Sequence, residues 1–343
     1  MKFGPVPVGE AAGCYLAHSL KVADAVWKKG RRLSADDLPA LQAAGLAQVV
    51  VARLDASDVH EDEAARRLAE ALAGTQALCG VATTGRANLL AGSAGLICVD
   101  ALRIHAINAV HESLTVATLP PFELVAEGQM LATIKVIPYA VPRAALEQVL
   151  ALSQGAAAAI CVAGFRRITV GLILTTLPDT RTSVLTKMRE SVQKRLHPLQ
   201  AQLGAETTVA HEQTAVAEAL ARMTADPTLD VVLVSGIAAT VDRADVVPAA
   251  IEQAGGRVVH AGMPVDPGNL LVLGNVARAD SRCVVVGLPT CARSPKLNGF
   301  DFVLRRLAAG LDVSAHDLMA MGVGGLLTEI PLRPMPRETL PFV

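Results

Sequence analysis

Excess charge of either sign is missing from this chain. Against 31 Lys and Arg stand 32 Asp and Glu, a formal net charge of −1, with a sequence pI near 6.7. A general nucleic-acid binder relies on surplus positive charge, so that class is excluded. Aromatic residues are scarce at 3% and charged ones make up 18%, whereas hydrophobic residues reach 52%. The apolar content is therefore carried by Ala, Val and Leu, the composition of buried strands and small-residue helices rather than of disorder. The opening MKFGPVPVGEAAG lacks the basic patch, apolar run and cleavage site of a secretory signal, which points to a cytoplasmic location. The longest stretch without a formal charge, residues 148–165, contains Gln148, Ser153, Gln154 and Gly155 with mostly Ala between them. That transfers poorly into a bilayer, and a soluble protein is expected. The six cysteines, Cys14, Cys79, Cys98, Cys161, Cys283 and Cys291, form no Cys-x-x-Cys pair, and no His lies at metal-ligand spacing from them. They read as buried small hydrophobes in a reducing compartment.

At about 150 residues per domain, 343 residues suggest two or three domains. Residues 1–74 read as a small α+β module. Ser34 and Asp37 form a capping-box-like start, Leu38 and Leu41 an inward stripe, and Gly45 the stop. A strand over 48–53 follows, then a helix capped by Asp58 with Ala65, Leu68 and Leu72 facing inward. Residues 75–150 are β-rich, with a loop at Thr84-Gly85-Arg86-Ala87-Asn88, strands over 95–99, 114–119 and 130–137, and a helix over 143–153. Residues 166–310 alternate strands (168–176, 229–234, 257–260, 283–288) with helices (184–203, 213–224, 246–254, 299–309). The long helix carries Leu185, Met188, Val192, Leu196, Leu199 and Leu203, with a kink at Pro198 and a stop at Gly204. Near-uniformly apolar strands between helices indicate an α/β fold with a parallel sheet covered on both faces. Residues 311–343 read as a C-terminal tail, Pro-rich over 331–341.

In parallel sheets ligands gather at the carboxyl ends of the strands. Three such ends here are polar: one running from Thr175-Thr176 through Asp179 to Ser183, one from Ser235-Gly236 to Asp242 and Asp245, and one from Pro289 through Arg293, Ser294 and Lys296 to Asn298. If their strands are neighbours, the loops converge on a crevice of hydroxyls, carboxylates and cations, suited to a phosphate with magnesium. Pro248 lets Asp245 sit at a helix N-terminus, where helix cap and functional acid are both open roles. Arg181 and Arg243 read as solvated surface charges. The pairs His60-Glu61, His111-Glu112 and His211-Glu212 lack a second His at helical spacing, so surface or strand-end roles are preferred to metal binding. Cys291 has no base near it in sequence and reads as a packed thiol. Gly322-Val323-Gly324-Gly325 follows a helix rather than a strand, the wrong context for a dinucleotide fingerprint.

Ser235-Gly236 through Asp245, Met263-Pro264-Val265-Asp266-Pro267-Gly268-Asn269-Leu270 through Gly274, and Gly287-Leu288-Pro289 through Lys296 together resemble the molybdopterin-binding domain. That domain is shared by molybdopterin molybdotransferases, molybdopterin adenylyltransferases and the competence-damage-inducible proteins. The match spans roughly residues 166–310. The opening module is similar to the flank of the molybdotransferases, and the chain as a whole most resembles the molybdopterin-binding half of bacterial proteins fused to a cofactor nucleotidyltransferase. The resemblance implies a three-layer parallel-sheet molybdopterin-binding domain after a smaller α+β region, in molybdenum cofactor biosynthesis. It implies molybdopterin as ligand, held by the motif residues Ser235, Gly236, Pro267, Gly268 and Pro289, to which the polar strand ends add Thr176, Asp179, Ser183, Arg293, Ser294 and Asn298. If the chain transfers a nucleotidyl group or molybdate, Mg2+ on Asp242 and Asp245 is implied, with Asp245 and Lys296 catalytic and ATP or CTP as nucleotide. A homo-oligomer and a separate nucleotidyltransferase partner are also implied. The family's glycines are replaced by Ile237, Ala239 and Thr290, and Gly permits close backbone approach that these residues do not. A non-catalytic cofactor carrier and a nucleotide pyrophosphatase-like hydrolase therefore stand as alternatives.

Overall fold

A computed structural model describes residues 1–279 and 281–327, arranged as two compact units that divide between Gly164 and Phe165. No described helix is long and apolar enough to cross a membrane.

The first unit holds two hydrophobic clusters. One gathers residues from Val8 to Val51 around Leu16, Leu33 and Leu41. Here Lys2–Pro7 and Tyr15–Leu16 pair antiparallel with Gln48–Arg53, and the Ser34–Asp37 capping box forms as expected. The larger cluster runs from Val59 to Val162. Its helix, Glu61–Leu72, packs Ala65, Leu68 and Leu72 inward against the sheet of Arg86–Ala91, Met130–Val136, Leu114–Thr118 and Ala77–Cys79. That helix belongs with the strands that follow it, since its apolar stripe is buried by their faces, so no break in the core falls at residue 74. Its cap is His60, whose Nδ1 accepts the amide of Asp62 at 3.3 Å. Asp58 instead lies in the strand Asp58–His60. The stretch 148–165 is the end of helix Arg143–Ser153 followed by strand Ile160–Gly164.

In the second unit we number the strands β1 (Thr169–Thr176), β2 (Gln202–Ala210), β3 (Val231–Ser235), β4 (Gly256–Ala261), β5 (Val272–Ala277) and β6 (Arg282–Leu288), and the helices α1 (Thr182–Leu196), α2 (Gln213–Ala225), α3 (Val246–Gln253), α4 (Gly299–Ala308) and α5 (Ala315–Met319). One sheet runs in the order β2-β1-β3-β6-β5-β4. The β1–β2, β1–β3 and β3–β6 pairs are parallel. The β6–β5 and β5–β4 pairs are antiparallel, so the sheet is mixed, a correction to the all-parallel expectation. Alternate residues of the central strands feed two clusters, because side chains on a strand point to opposite faces. Val170, Leu172, Leu174 and Leu233 join Met188 and Val192 of α1 and Phe300 and Leu304 of α4. Ile173, Val232 and Val234 join Val216 and Leu220 of α2 and Val247 and Ile251 of α3.

Two segments differ from expectation. The helix expected over 184–203 ends at Leu196, passes through a 3-10 turn, His197–Leu199, and closes on Gln200 at a left-handed φ of 56°. Gly204 is then part of β2, where a Cβ would come 2.2 Å from Thr169 Cγ2. The chain through α5 is not a loose tail: Leu318 and Met321 are buried in the same core as α4. The Pro-rich stretch 331–341 lies outside the described residues.

Candidate functional site

Because β1, β3 and β6 are adjacent and parallel, the loops that leave their carboxyl ends share one rim. The β4–β5 connection opens on this same rim, since β5 runs against β6 and β4 against β5. The loop after β3 is shaped by two carboxylates. Asp245 is the N-cap residue of α3, yet its Oδ2 reaches back to accept the amides of Val241 (2.6 Å) and Asp242 (2.9 Å). Those two hydrogen bonds hold its carboxyl below the usual range, His211 adding a smaller electrostatic contribution. Asp242 Oδ1 in turn accepts the amide of Ala244 at 2.7 Å. The loop so folded faces the β4–β5 connection across a cavity of about 270 Å3, lined by Thr240, Asp242, Arg243, Ala261, Gly262 and Leu270 among others.

Behind that loop lies a buried polar knot. The Thr175 hydroxyl, on a residue 1% exposed, is 2.9 Å from His211 Nδ1 and 3.2 Å from the Ser235 carbonyl, and accepts the Ile237 amide at 2.8 Å. A hydroxyl has one proton. If it goes to the Ser235 carbonyl, the hydroxyl oxygen accepts from both Ile237 N–H and His211 Nδ1–H, and every contact is satisfied. That assignment makes His211 the Nδ1–H tautomer and leaves Nε2 as its basic nitrogen. Burial lowers the pKa of His211, opposed by the negative charge of Asp245. Gly236, at the turn, has its Cβ direction 3.6 Å from His211 Cε1.

The third loop is fastened from inside. Arg195, buried on α1, donates through Nε to Asp301 Oδ1 (2.8 Å), through Nη1 to the Ala292 carbonyl (3.1 Å), and through Nη2 to the carbonyls of Ser294 (2.7 Å) and Lys296 (3.1 Å). Its guanidinium also lies 6.0 Å from the Phe300 ring centroid. Asn298 is committed to α4, its Oδ1 accepting Phe300 N–H at 3.0 Å while its own amide donates to Asp301. Pro267 accepts the Gly299 amide at 2.9 Å. Gly268 packs so tightly there, at φ +136°, that a Cβ would meet Gly299 N at 2.4 Å.

The expected site residues therefore divide. Asp242 lines the cavity and Asp245 shapes the loop beside it, with Ser235 and Gly236 at the strand end behind. Thr176 closes β1, its hydroxyl on the Val209 carbonyl at 3.3 Å. Asp179 and Ser183 are exposed on the first loop and the first turn of α1. Pro289 is buried, Arg293 is half-buried with Nε on the Thr290 carbonyl (3.3 Å), Ser294 Oγ accepts the Lys296 amide (3.3 Å), and the Lys296 residue is exposed. Pro267, Gly268 and Asn298 are occupied with the start of α4. Among the described residues no group of three or more His, Cys, Asp or Glu side chains could hold a metal ion.

Comparison with known proteins gives a family model, a domain of unknown function (DUF8806), that matches residues 5–53. No curated protein matches. Among solved structures, a molybdenum cofactor biosynthesis protein B is 13% identical over 42% of this chain and 95% of its own, with a TM-score of 0.30. A putative molybdenum cofactor biosynthesis protein from Corynebacterium diphtheriae is 15% identical over 43% and 100%, at 0.30. The protein CinA from Thermoplasma acidophilum is 12% identical over 42% and 96%, at 0.24.

Sequence reasoning set Thr175 at the head of the first polar strand end and gave His211 a surface or strand-end role, but assigned neither to the site. Thr175 ends an apolar run and carries no motif. The place of His211 depends on β2, whose existence the sequence hid; a strand over 202–210 would have set the residue beside the end of β1.

Proposed function

We propose that the second unit binds a phosphate-bearing pterin of the molybdopterin type, in molybdenum cofactor biosynthesis, with its anionic end in the rim cavity. The observation that carries this reading is the cavity itself, where Arg243, Thr240 and Asp242 stand on a loop pinned by Asp245. A guanidinium and a hydroxyl are ligands for phosphate oxygens. At about 270 Å3 the cavity is just below the usual range of about 300–1,000 Å3 for ligand pockets, room for the phosphate end with the rest of the ligand along the open rim. Mg2+ is usually bound through one or two carboxylates plus substrate phosphate and water. Asp242 and Asp245 would hold it, the latter through Oδ1, since Oδ2 is engaged by two amides. We assign Arg243, which lines the cavity, to the site in place of Lys296 and Arg293, which do not line it.

The preferred form of the reading is a carrier that hands molybdopterin to a separate nucleotidyltransferase. The Ile237 amide, which a glycine loop would offer to phosphate, is spent on Thr175, and Asp245 is largely engaged in holding its own loop. A nucleotidyl or molybdate transferase using ATP or CTP is the second reading, favoured by the basic Nε2 of a neutral His211 near Asp245. Titration calorimetry of the full chain with molybdopterin tests the proposal. Saturable binding is expected, weakened about tenfold or more by Arg243→Ala, the loss of one charge-assisted hydrogen bond of about 1.5–3 kcal/mol. No heat of binding, or an Arg243→Ala variant that binds like the parent, overturns it. Pyrophosphate release on adding ATP or CTP with Mg2+ would select the transferase over the carrier.

A further inference from the structure

We propose that Cys98 and Cys161, in the first unit, form a thiol–disulfide exchange site that closes into a cross-strand disulfide on meeting a low-molecular-weight disulfide and reopens with a small thiol. The two residues face each other in the antiparallel pair of Gly95–Val99 with Ile160–Gly164. Their neighbours show which kind of pair this is. Ile97 spends its amide on Glu123 and its carbonyl on Phe122, Val162 spends its amide on Thr75, and the Ile160 carbonyl accepts Gly74. The backbone groups of Cys98 and Cys161 therefore point toward each other, which makes them a hydrogen-bonded pair with Cα atoms about 5.5 Å apart. Disulfides span Cα separations of about 4.4–6.8 Å, most often about 5.5–6 Å. The side chains lie on the opposite face of the strands from the core residues Ile97 and Val162, and both residues are half-buried, within reach of a small reagent.

The six cysteines differ in reactivity. A hydrogen bond from Cys98 brings the Cys161 thiol down to about 7, so a large fraction is thiolate at neutral pH, and the thiolate is the nucleophile. Burial pushes Cys283 up to about 11 and also raises Cys291 and the exposed Cys79. Cys14 is buried. Only Cys14 and Cys283 are the buried hydrophobes expected of all six. In the exchange, the Cys161 thiolate attacks one sulfur of the reagent disulfide, forms a mixed disulfide and expels one thiolate, which takes up a proton. Cys98 loses its proton to solvent and attacks Cys161 Sγ, expelling the second thiolate. Two electrons pass to the reagent, which leaves as two thiols, and Ile160–Gly164, the last strand of the first unit, is tied to its neighbour.

Oxidised and reduced glutathione are the probes. With oxidised glutathione in excess, the full chain is expected to lose two alkylatable thiols, and a non-reducing peptide map to join Cys98 to Cys161 while the other four stay alkylatable. Cys98→Ser should stop at Cys161 carrying one glutathionyl group, and reduced glutathione should reverse both products. In the unmodified protein at pH 7, iodoacetamide should label Cys161 about tenfold faster than Cys79. A map in which Cys98 and Cys161 stay unlinked while other cysteines are oxidised overturns the proposal, as does labelling of Cys161 no faster than Cys79.

Discussion

At the scale of single residues, the knot around Thr175 ties side-chain protonation to stability. His211 is held neutral chiefly by burial, its pKa lowered from the ordinary value of about 6.5. The unfolded chain therefore takes up the proton first on acidification. The contribution to stability is complete above about pH 6.5 and is lost as pH falls through the lower folded-state value. His211→Gln, which keeps a donor for the Thr175 hydroxyl, should flatten this dependence: the Tm gap between parent and variant is expected to shrink as the pH is lowered from 7 toward 5. A gap that is constant with pH would show that the imidazole titrates as it does in the unfolded chain. The knot was not legible beforehand, because a histidine's chemistry depends on its surroundings, and the neighbours of His211 come from the end of β1 and the loop after β3, far apart in the chain.

At the scale of elements, legibility followed hydrophobic pattern. β1 and β3 read correctly because central strands buried on both faces are continuous apolar runs. The alternating exposure of β2 marks an edge strand, and its sequence QLGAETTVA offers no such run. β5 contains Gly274 and Asn275, and a Cβ on Gly274 would come 3.1 Å from Ile251, so the strand is built with a residue that weakens the pattern it would otherwise show. Missing β5 hid the reversal of direction that makes the sheet mixed. The Ser34 capping box was readable, since Ser34 with Asp37 is a local signal, whereas the cap at His60 was not, since it rests on an imidazole nitrogen rather than on a usual capping side chain. What joins α1 to α4 is the Arg195–Asp301 pair, both residues 8% exposed. Removing one partner of a buried pair leaves the other charge uncompensated. Arg195→Met should therefore cost about 3–5 kcal/mol in urea unfolding of the second unit, with the third loop becoming sensitive to protease; a loss under about 1 kcal/mol would show the pair to be solvated.

At the scale of the whole molecule, two units with separate cores carry separable stabilities. Leu68 belongs to the core of the first unit and Leu172 to that of the second, each fully buried. Either Leu→Ala substitution leaves a cavity costing about 2–5 kcal/mol. Calorimetry should show each change lowering a different transition, and a single transition that responds equally to both would mean that the units unfold as one. The candidate site was partly legible at this scale. Placing the three polar loops on neighbouring parallel strands was correct, since β1, β3 and β6 are adjacent. The detail within each loop was not, because Asn298, Pro267 and Gly268 are taken up by the start of α4 rather than offered to a ligand.

The grip of Arg195 on the third loop is made through main-chain oxygens, those of Ala292, Ser294 and Lys296, and not through their side chains. A fastening of that kind is blind to the identity of the amino acids it fastens. The exposed Lys296 side chain can therefore be exchanged without unseating the loop, so this position is where the character of the rim can drift in evolution, or be redesigned, while the scaffold beneath it stays unchanged.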